Sequence, residues 1–217
     1  MASVVETPLY DYFFGKCMVY GRPVLERRFG EQRARDIVRR IRTEYRGMLP
    51  EVPDLKTLFG RINLMTAVVA LPVYRILQEE VSRPEALELS GKFMASCAVR
   101  GLDEDMPLTF RMAMRSPRLL PLAVRLLAWW DNLVDDPNGW RFDVLPTPRG
   151  HVLALNALRC GVHTFLTAQG APELTERAIC PLDDYMCRAC MPENTRLSRT
   201  MLLGRGDAYC DFRFISG

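Results

Sequence analysis

Apolar residues recur at helical spacing through the first 135 positions of the chain. Between Glu31 and Met48 they fall three and four residues apart, which predicts a helix with one apolar face. The stretch from Asn63 to Val81 is richer in apolar residues and predicts a central, mostly buried helix. Capping hydroxyls and prolines indicate three further helix starts, at Thr7-Pro8, Ser82-Arg83-Pro84-Glu85 and Ser116-Pro117.

The pattern changes at the turn residues Asp136-Pro137-Asn138-Gly139, which end the helical part. Trp140 to Val144 then alternates large apolar and polar residues, which is typical of a strand. A helix is predicted from about Val152 to Ala168, and a shorter helical stretch from Pro172 to about Cys190.

Two strand-like runs close the chain, from Arg196 to Leu203 and from Tyr209 to Ile215, and the loop from Gly204 to Ala208 joins them as a hairpin. Alternation places Cys210, Phe212 and Phe214 on one face of the last strand, and Asp211 and Arg213 on the other. Helices followed by a small antiparallel sheet predict an α+β fold. In this fold a helical N-terminal layer packs on a small antiparallel sheet formed by the C-terminal part.

The chain has 217 residues, of which 48% are apolar and 25% charged, and it is long enough for one sizeable core. No repeat or linker indicates a second domain. We therefore expect a single α+β domain over residues 1–217, mainly helical over 1–135, with strand, helices and closing hairpin over 136–217.

Charge gives little indication of a macromolecular partner. The net charge of +3 is too small to predict nucleic-acid binding. The stretch from Arg22 to Arg46 contains nine arginines, but it also carries a regular apolar stripe, so we interpret the charges as a solvated helix face. The expected partner is a small-molecule substrate. Formation of a homo-oligomer is possible on this sequence.

Neither a membrane span nor export is expected. The longest apolar run, Leu64 to Tyr74, is shorter than the roughly 20 residues that a span requires. The start of the chain lacks the basic residue and apolar run of a secretory signal. We therefore interpret the seven cysteines as reduced thiols of a cytoplasmic protein.

Residues that can do chemistry are concentrated after Trp140. Cys180, Asp183 and Asp184 lie within one or two helical turns, where a thiol and a carboxylate can share a helix face. A carboxylate alone raises the pKa of a thiol, so an active thiolate needs a third group, which Arg199 or His163 could supply. Taken singly, however, a cysteine is more often a small buried hydrophobe.

Cys187 and Cys190 form a CxxC, a pattern that can bind zinc or do redox chemistry. There is no second CxxC at zinc-ribbon spacing and no strand–helix–strand pattern of a thioredoxin-like site. We therefore predict neither a metal nor another cofactor.

The C-terminal part nevertheless resembles the L-2-amino-thiazoline-4-carboxylic acid hydrolase family over residues 140 to 214. Shared features are a Phe-Asp strand, a cysteine that opens a helix, a Gly-x-Pro-Glu-Leu turn, a cysteine and an aspartate three apart, an Arg-Thr strand, a glycine and a closing Cys-Asp-Phe. They correspond here to Phe142-Asp143, Cys160, Gly170-Ala-Pro-Glu173-Leu174, Cys180 with Asp183, Arg199-Thr200, Gly206 and Cys210-Asp-Phe-Arg-Phe214. Cys187 and Cys190 are not part of this pattern.

The resemblance implies a hydrolase that opens a small cyclic, amidine-like substrate such as a 2-amino-thiazoline carboxylate, giving a carbamoyl-cysteine. The carbon between sulfur and nitrogen is electrophilic, so ring opening needs activated water or a thiolate as nucleophile, and an acid for the departing atom. A cation, best an arginine, should hold the substrate carboxylate.

On this basis the catalytic candidates are Cys180, Asp183 and Cys160. Asp183 would be the general base or would orient a nucleophile, and Cys180 or Cys160 would be the nucleophile of a covalent route. The candidates for substrate binding are Arg199 for the carboxylate, together with Cys210, Asp211, His163 and Asp143.

Two other functions remain open. One is an enzyme of the same fold with altered chemistry in a specialised-metabolite pathway, and the other is a non-catalytic module that binds a small molecule. The apolar helix that carries Trp129 and Trp130 suggests a pocket for something larger than a thiazoline.

Overall fold

The computed structural model describes residues 8–104, 115–116, 119–192 and 194–216. Four helices form the N-terminal layer: α1 (Pro8–Phe29), α2 (Glu31–Met48), α3 (Leu58–Gln78) and α4 (Arg83–Glu104). The predicted amphipathic helix from Glu31 to Met48 and the predicted central helix are confirmed. Of the predicted helix starts, Thr7 and Pro117 lie outside the described residues.

Helix α3 is the centre of this layer. Most of its residues from Leu64 to Leu77 are buried, and α1, α2 and α4 pack around it. Its start is capped by Thr57, whose hydroxyl accepts a hydrogen bond from the Gly60 N–H at 3.0 Å. This bond satisfies one of the N–H groups that have no partner within the first turn of a helix.

Helix α3 also meets the length and composition of a membrane-spanning helix. However, 72% of its most apolar window is buried inside the protein, as in the core helix of a folded domain. Length and composition are therefore weak support for a span.

Arginines of the basic stretch form ion pairs across the helical layer. Arg33 and Arg40, both on α2, contact the carboxylate of Glu80, which is only 7% exposed. Burial alone would raise the pKa of Glu80, but the hydrogen bonds and charges of the two arginines outweigh it and lower this pKa. This part of the basic surface thus serves the contact between α2 and the end of α3.

Helix α5 (Leu119–Val134) leads into a four-stranded antiparallel sheet. The strands are β1 (Arg141–Val144), β2 (His151–Arg159), β3 (Thr195–Ser198) and β4 (Cys210–Ser216), in the order β1-β2-β4-β3. Between β2 and β3 lie α6 (Gly161–Ala168), a π-helical turn (Thr175–Ile179) and α7 (Cys180–Cys190). The α+β class, with helices first and an antiparallel sheet formed by the C-terminal part, is confirmed.

One face of the sheet packs against α7. Leu153 of β2 pairs with Phe214 of β4, and both join a buried cluster with Cys187 of α7. Cys210 lies in a second buried cluster on the same face, with Ala157 and Leu202. The predicted alternation of β4 therefore holds, with Cys210, Phe212 and Phe214 directed towards this packed face.

The outer edge of β1 is bound by a side chain. Asn132 of α5 donates its amide to the Phe142 carbonyl at 2.6 Å, and its carbonyl accepts the Phe142 N–H at 2.8 Å. These are the two hydrogen bonds that a neighbouring strand would make with Phe142. The contact attaches α5 to the sheet and occupies part of an otherwise unpaired edge.

The prediction of a helix from Val152 to Ala168 was wrong over its first half. Residues His151–Arg159 form β2, and only Gly161–Ala168 are helical. The sequence of this segment predicts a helix because alanine and leucine favour helices. Helix propensity is a weak effect, however, and the hydrogen bonds to β1 on one side and β4 on the other override it. His151 therefore begins a strand, not a helix.

The closing hairpin also differs from the prediction in detail. Its two strands pair as expected, with Ser198 opposite Arg213, but the first strand ends at Ser198 rather than Leu203. Residues Leu203–Arg205 form a 3₁₀ turn, and Gly206 follows with φ of 90°, a conformation that favours glycine. The longer connection carries Arg199 away from the sheet and towards α7.

The backbone at the junction between β2 and α6 packs closely against the segment that precedes β1. A Cβ at Gly161 would lie 2.6 Å from the Trp140 ring and 2.7 Å from the Asn138 carbonyl oxygen. We expect Gly161→Ala to lower the free energy of unfolding by about 1–3 kcal/mol because backbone or ring must move.

The matched control is Gly15→Ala in helix α1, where a Cβ meets nothing within 4 Å. Because alanine is the better helix former, this variant should be as stable as the parent or more stable by about 0.5–1 kcal/mol. Urea denaturation of the three proteins measures both effects. Equal midpoints for Gly161→Ala and the parent would contradict the tight junction.

Candidate functional site

Four segments of the chain meet where α7 faces the sheet. Cys160 directly precedes α6 as its N-cap residue, and Cys180 and Asp183 lie in the first turn of α7. Arg199 follows β3, and Cys210 begins β4. Electrostatic interactions connect all five residues, so the structure brings together the predicted group Cys160, Cys180, Asp183, Arg199 and Cys210.

An ion pair holds this group together. The Arg199 side chain is 8% exposed, and its Nη1 lies 2.6 Å from Asp183 Oδ2. Its Nη2 donates to the Cys180 carbonyl at 2.8 Å and lies 3.5 Å from Asp184 Oδ2. The guanidinium also lies over the ring of Phe212 at 5.3 Å. Arg199 is thus bound on several sides by protein groups, which fixes the position of Asp183.

Asp183 titrates near neutral pH. The pKa of its carboxyl is raised to about 6, chiefly by burial and in addition by the charge of Asp184, while the charge and hydrogen bond of Arg199 lower it. A carboxyl group with this pKa is mostly ionised at pH 7 and accepts a proton with little cost. Such a group is suited to general base catalysis.

The three thiols are held in the neutral form. Burial raises the pKa of Cys160 to about 12, and burial together with the charge of Asp183 raises the pKa of Cys180 still more. Burial likewise raises the pKa of Cys210, whose sulfur accepts the Leu203 N–H at 3.2 Å. At neutral pH these groups are therefore protonated, and a thiolate would form only with help from a base.

Two backbone N–H groups lie near the sulfur of Cys160. The N–H groups of Val162 and His163, at the start of α6, oppose the rise in its pKa, although neither makes a capping hydrogen bond of regular geometry. Donors at a helix start favour negative charge. These two N–H groups would stabilise a thiolate at Cys160, as the Leu203 N–H and the charge of Arg199 would at Cys210.

The exposure of Asp183 indicates a recess. Its side chain is 44% exposed, although burial is the largest cause of its raised pKa. Cys160 and Cys180 combine partial exposure with the same strong desolvation. Groups that solvent reaches while protein surrounds them line a concavity rather than a convex surface. A small molecule could enter this concavity.

A shallow cavity of about 230 Å³ lies where the middle of α7 faces β3. It is lined by Asp184, Cys187, Arg188, Thr195, Arg196 and Leu197. Neither Asp183 nor the three thiols of the group lines it. We place the candidate site at Asp183 because the titrating carboxyl and the buried cation are there.

Asp211 has a structural role. Its carboxylate accepts the N–H groups of Thr200 and Met201, at 2.7 and 2.6 Å, and the Thr200 hydroxyl at 2.8 Å. Burial alone would raise its pKa, but these donors outweigh it and hold the pKa below its usual value. Asp211 thus fixes the backbone of Thr200 and Met201, directly after Arg199, and in this way helps to position Arg199.

The other two predicted binding residues are His163, whose backbone N–H lies near the Cys160 sulfur, and Asp143. His163 Nδ1 lies 3.3 Å from the buried Thr175 hydroxyl, and burial lowers its pKa, so the ring is neutral near pH 7. Asp143 is exposed on β1, and its strand partner is Asn156. His163 is close to Cys160 in sequence, whereas Asp143 lies at the edge of the sheet.

The CxxC of α7 does not form a metal site with other described residues. Cys187 is buried among leucines of the sheet, and its thiol faces the Thr195 carbonyl oxygen at 3.7 Å. The side chain of Cys190 lies outside the described residues. Within the described part of the chain, no group of three or more histidine, cysteine or acidic side chains could hold a metal ion.

The apolar helix with Trp129 and Trp130 is not a wall of the recess. Trp129 is 60% exposed and Trp130 50% exposed, on the outer surface of α5. The expectation of a larger pocket built from these two side chains is therefore wrong. Helix α5 packs on β1 through its opposite side.

Sequence reasoning missed Arg205. It lies in the 3₁₀ turn, its Nε donates to Glu176 of the π-helical turn at 2.8 Å, and its charge interacts with Cys180. The side chain is 52% exposed. The indication in the sequence is the pair of glycines that flank Arg205. In the structure a Cβ at Gly204 would lie 3.2 Å from the Glu176 nitrogen, so the turn packs closely against the π-helical turn.

A family model matches most of this chain. A search of curated proteins finds no significant relative. Residues 62–214, which include every member of the group around Asp183, match the family described as L-2-amino-thiazoline-4-carboxylic acid hydrolase. Because the match covers more than half of the chain, this protein belongs to the L-2-amino-thiazoline-4-carboxylic acid hydrolase family.

Proposed function

We propose that this protein hydrolyses a small cyclic, amidine-like substrate of the 2-amino-thiazoline carboxylate type, with Asp183 as the general base. The observation that carries the proposal is the carboxyl of Asp183, which has a pKa of about 6 and lies in a recess of neutral thiols. The family description supports the reaction class.

The proposed reaction adds one water molecule across the ring. Asp183 accepts a proton from water while the water oxygen bonds to the carbon between sulfur and nitrogen. The carbon–sulfur bond then breaks as the carbon–nitrogen double bond re-forms, and the proton held by Asp183 passes to the departing sulfur. The hydroxyl proton moves to the ring nitrogen, which gives the carbamoyl group. The product is an open-chain carbamoyl amino acid with a free thiol, and Asp183 returns to its ionised form.

Arg199 acts in this proposal as a positioning residue. It is nearly buried and already binds Asp183 and the Cys180 carbonyl, which leaves it poorly placed to hold a substrate carboxylate as well. Arg205 is better placed, because it is half-exposed and interacts with Cys180, and its ion pair is with Glu176, while the charge of Asp207 acts on it more weakly. We therefore assign the substrate carboxylate to Arg205.

The proposal is tested by incubating the purified protein with 2-amino-thiazoline-4-carboxylate. We expect release of a free thiol, measured with a chromogenic disulfide, and a product whose mass equals substrate plus water. Asp183→Asn is the matched control because it keeps the size of the side chain and removes the base. Absence of thiol release with the folded parent protein would contradict this substrate.

The pH dependence of the rate should report Asp183. Since the base must be ionised, kcat/KM should fall as pH decreases through about 6, the raised pKa of this carboxyl. We call this decrease at low pH the acidic limb of the pH profile. Asp183→Asn should lose about 10²–10⁴-fold in kcat and show no acidic limb.

Two neighbours should move this limb in opposite directions. The charge of Asp184 raises the pKa of Asp183 and that of Arg199 lowers it. Asp184→Asn should therefore shift the limb to lower pH, and Arg199→Gln to higher pH, with circular dichroism as the check on folding. A limb that stays in place in both variants would assign it to another group.

A covalent route through Cys160 is the second candidate, favoured by the N–H groups of Val162 and His163 near its sulfur. It predicts an enzyme–substrate adduct in the mass spectrum of the stalled reaction and complete loss of activity in Cys160→Ser. The water route predicts that Cys160→Ser retains measurable turnover. Cys187→Ser, a buried thiol of the sheet cluster, is the control for loss of packing.

Arg205 should control substrate affinity. We expect Arg205→Gln to raise KM about tenfold or more with a smaller change in kcat, because a charged hydrogen bond to the substrate carboxylate is lost. Arg177→Gln, on the neighbouring π-helical turn and also exposed, is the control and should leave KM unchanged. Equal KM values for the parent, Arg205→Gln and Arg177→Gln would show that Arg205 does not bind the substrate carboxylate.

A further inference from the structure

Helix α5 presents an unusual outer surface. Seven of the thirteen exposed large apolar side chains of the described chain lie on this one helix. They are Leu119, Leu122, Leu126, Leu127, Trp129, Trp130 and Leu133, each between 43% and 62% exposed. We call these seven residues the α5 stripe. At 100° per residue they cover one continuous side of the helix, and no charged residue interrupts it.

The buried side of α5 is much narrower. Leu120, Ala128 and Asp131 are the residues of α5 that are buried, and Asn132 binds the edge of β1. Arg125 is exposed on the flank, where its Nη2 donates to the Thr147 hydroxyl at 3.2 Å. The polar residues of the helix thus face the protein or its flank, and the outward side is apolar. This is the reverse of an ordinary surface helix.

The spacing within the α5 stripe is that of a helix–helix contact. Leu119, Leu122, Leu126, Trp129 and Leu133 are separated by three, four, three and four residues. This is the pattern by which two helices interlock side chains along a shared seam. A helix that binds a lipid surface shares this spacing but is usually rich in lysine and arginine on its polar side, whereas Arg125 is the one cation of α5.

The size of the α5 stripe matches one side of a stable protein interface. A leucine or tryptophan exposed to this degree presents roughly 100 Å², so the seven side chains present about 700 Å². The largest apolar patch on a typical monomer is about 300–600 Å². A standard interface buries about 800 Å² on each partner. The stripe thus supplies most of the area that one subunit of a dimer needs.

We propose that the α5 stripe is the dimer interface of this protein, with α5 of a second copy as its occupant. In a twofold arrangement the middle of the stripe, Leu126, meets its own counterpart, and the seam buries the same residues on both copies. Both tryptophans then lie within the contact, where aromatic side chains contribute most to binding. None of the residues in the group around Asp183 belongs to α5, so none of them is part of the proposed contact.

Sedimentation equilibrium of the parent protein tests the proposal. We expect a dimer at micromolar concentration, and at least 100-fold weaker association in Leu126→Lys because a charge is placed at the centre of an apolar contact. The matched control is Val19→Lys, which places the same charge on a residue of α1 that is 60% exposed and lies away from the stripe. The control should remain dimeric.

A crosslink tests the geometry independently of the affinity. Leu126→Cys should form an intermolecular disulfide when an oxidant such as copper phenanthroline removes two electrons and two protons from the paired thiols. Val19→Cys, equally exposed, should stay monomeric on a non-reducing gel. A crosslink in both or in neither would contradict contact between the two stripes.

A monomeric parent protein at tens of micromolar would overturn the proposal. Blue-shifted tryptophan emission of this monomer with vesicles of phosphatidylcholine and phosphatidylglycerol would then assign the α5 stripe to a lipid surface. Emission already blue-shifted in the free monomer would show that the chain covers the stripe itself. Persistence of the dimer in Leu126→Lys would equally exclude the stripe as the interface.

Discussion

The ion pair between Arg199 and Asp183 is the contact on which the site depends. A guanidinium that is 8% exposed requires an anionic partner, because an unpaired buried charge is strongly unfavourable. The pair joins the segment after β3 to the first turn of α7, two consecutive elements whose paired residues are 16 positions apart. Because Asp183 is partly solvated, loss of the pair would cost less than the roughly 3–5 kcal/mol typical of a fully buried pair.

The same desolvation has opposite consequences for the carboxyl and for the thiols. It raises the pKa of Asp183 to about 6, where Arg199 keeps the charged form accessible. It raises the pKa of Cys160 to about 12, where no cation lies close enough to compensate fully. One environment therefore yields one base and several neutral thiols. This difference favours water over a cysteine as the nucleophile, since only the carboxyl titrates near the pH of the cell.

The amino-acid sequence predicted the helical layer well because its apolar spacing is regular and its helix starts carry capping residues. It mispredicted β2, because alanine and leucine favour a helix, and the strand exists only through its partners β1 and β4. Helical spacing connected Cys180 with Asp183, but Cys160 and Cys210 joined the group through the resemblance in motif order, since they are too far apart in the chain for any local rule. Arg205 was missed because a single arginine between glycines has no distinctive pattern.

Helix α5 shows why composition alone misplaced Trp129 and Trp130. An apolar helix is ordinarily assigned to a core or a pocket wall. Here Asn132 attaches the helix to the edge of β1 by two hydrogen bonds, and the small Ala128 lies on the buried side, so a narrow contact suffices. The α5 stripe is then not needed to attach the helix to the rest of the fold. Apolar residues that folding does not use, at the spacing of a helical seam, are best explained by a surface that is buried in an assembly.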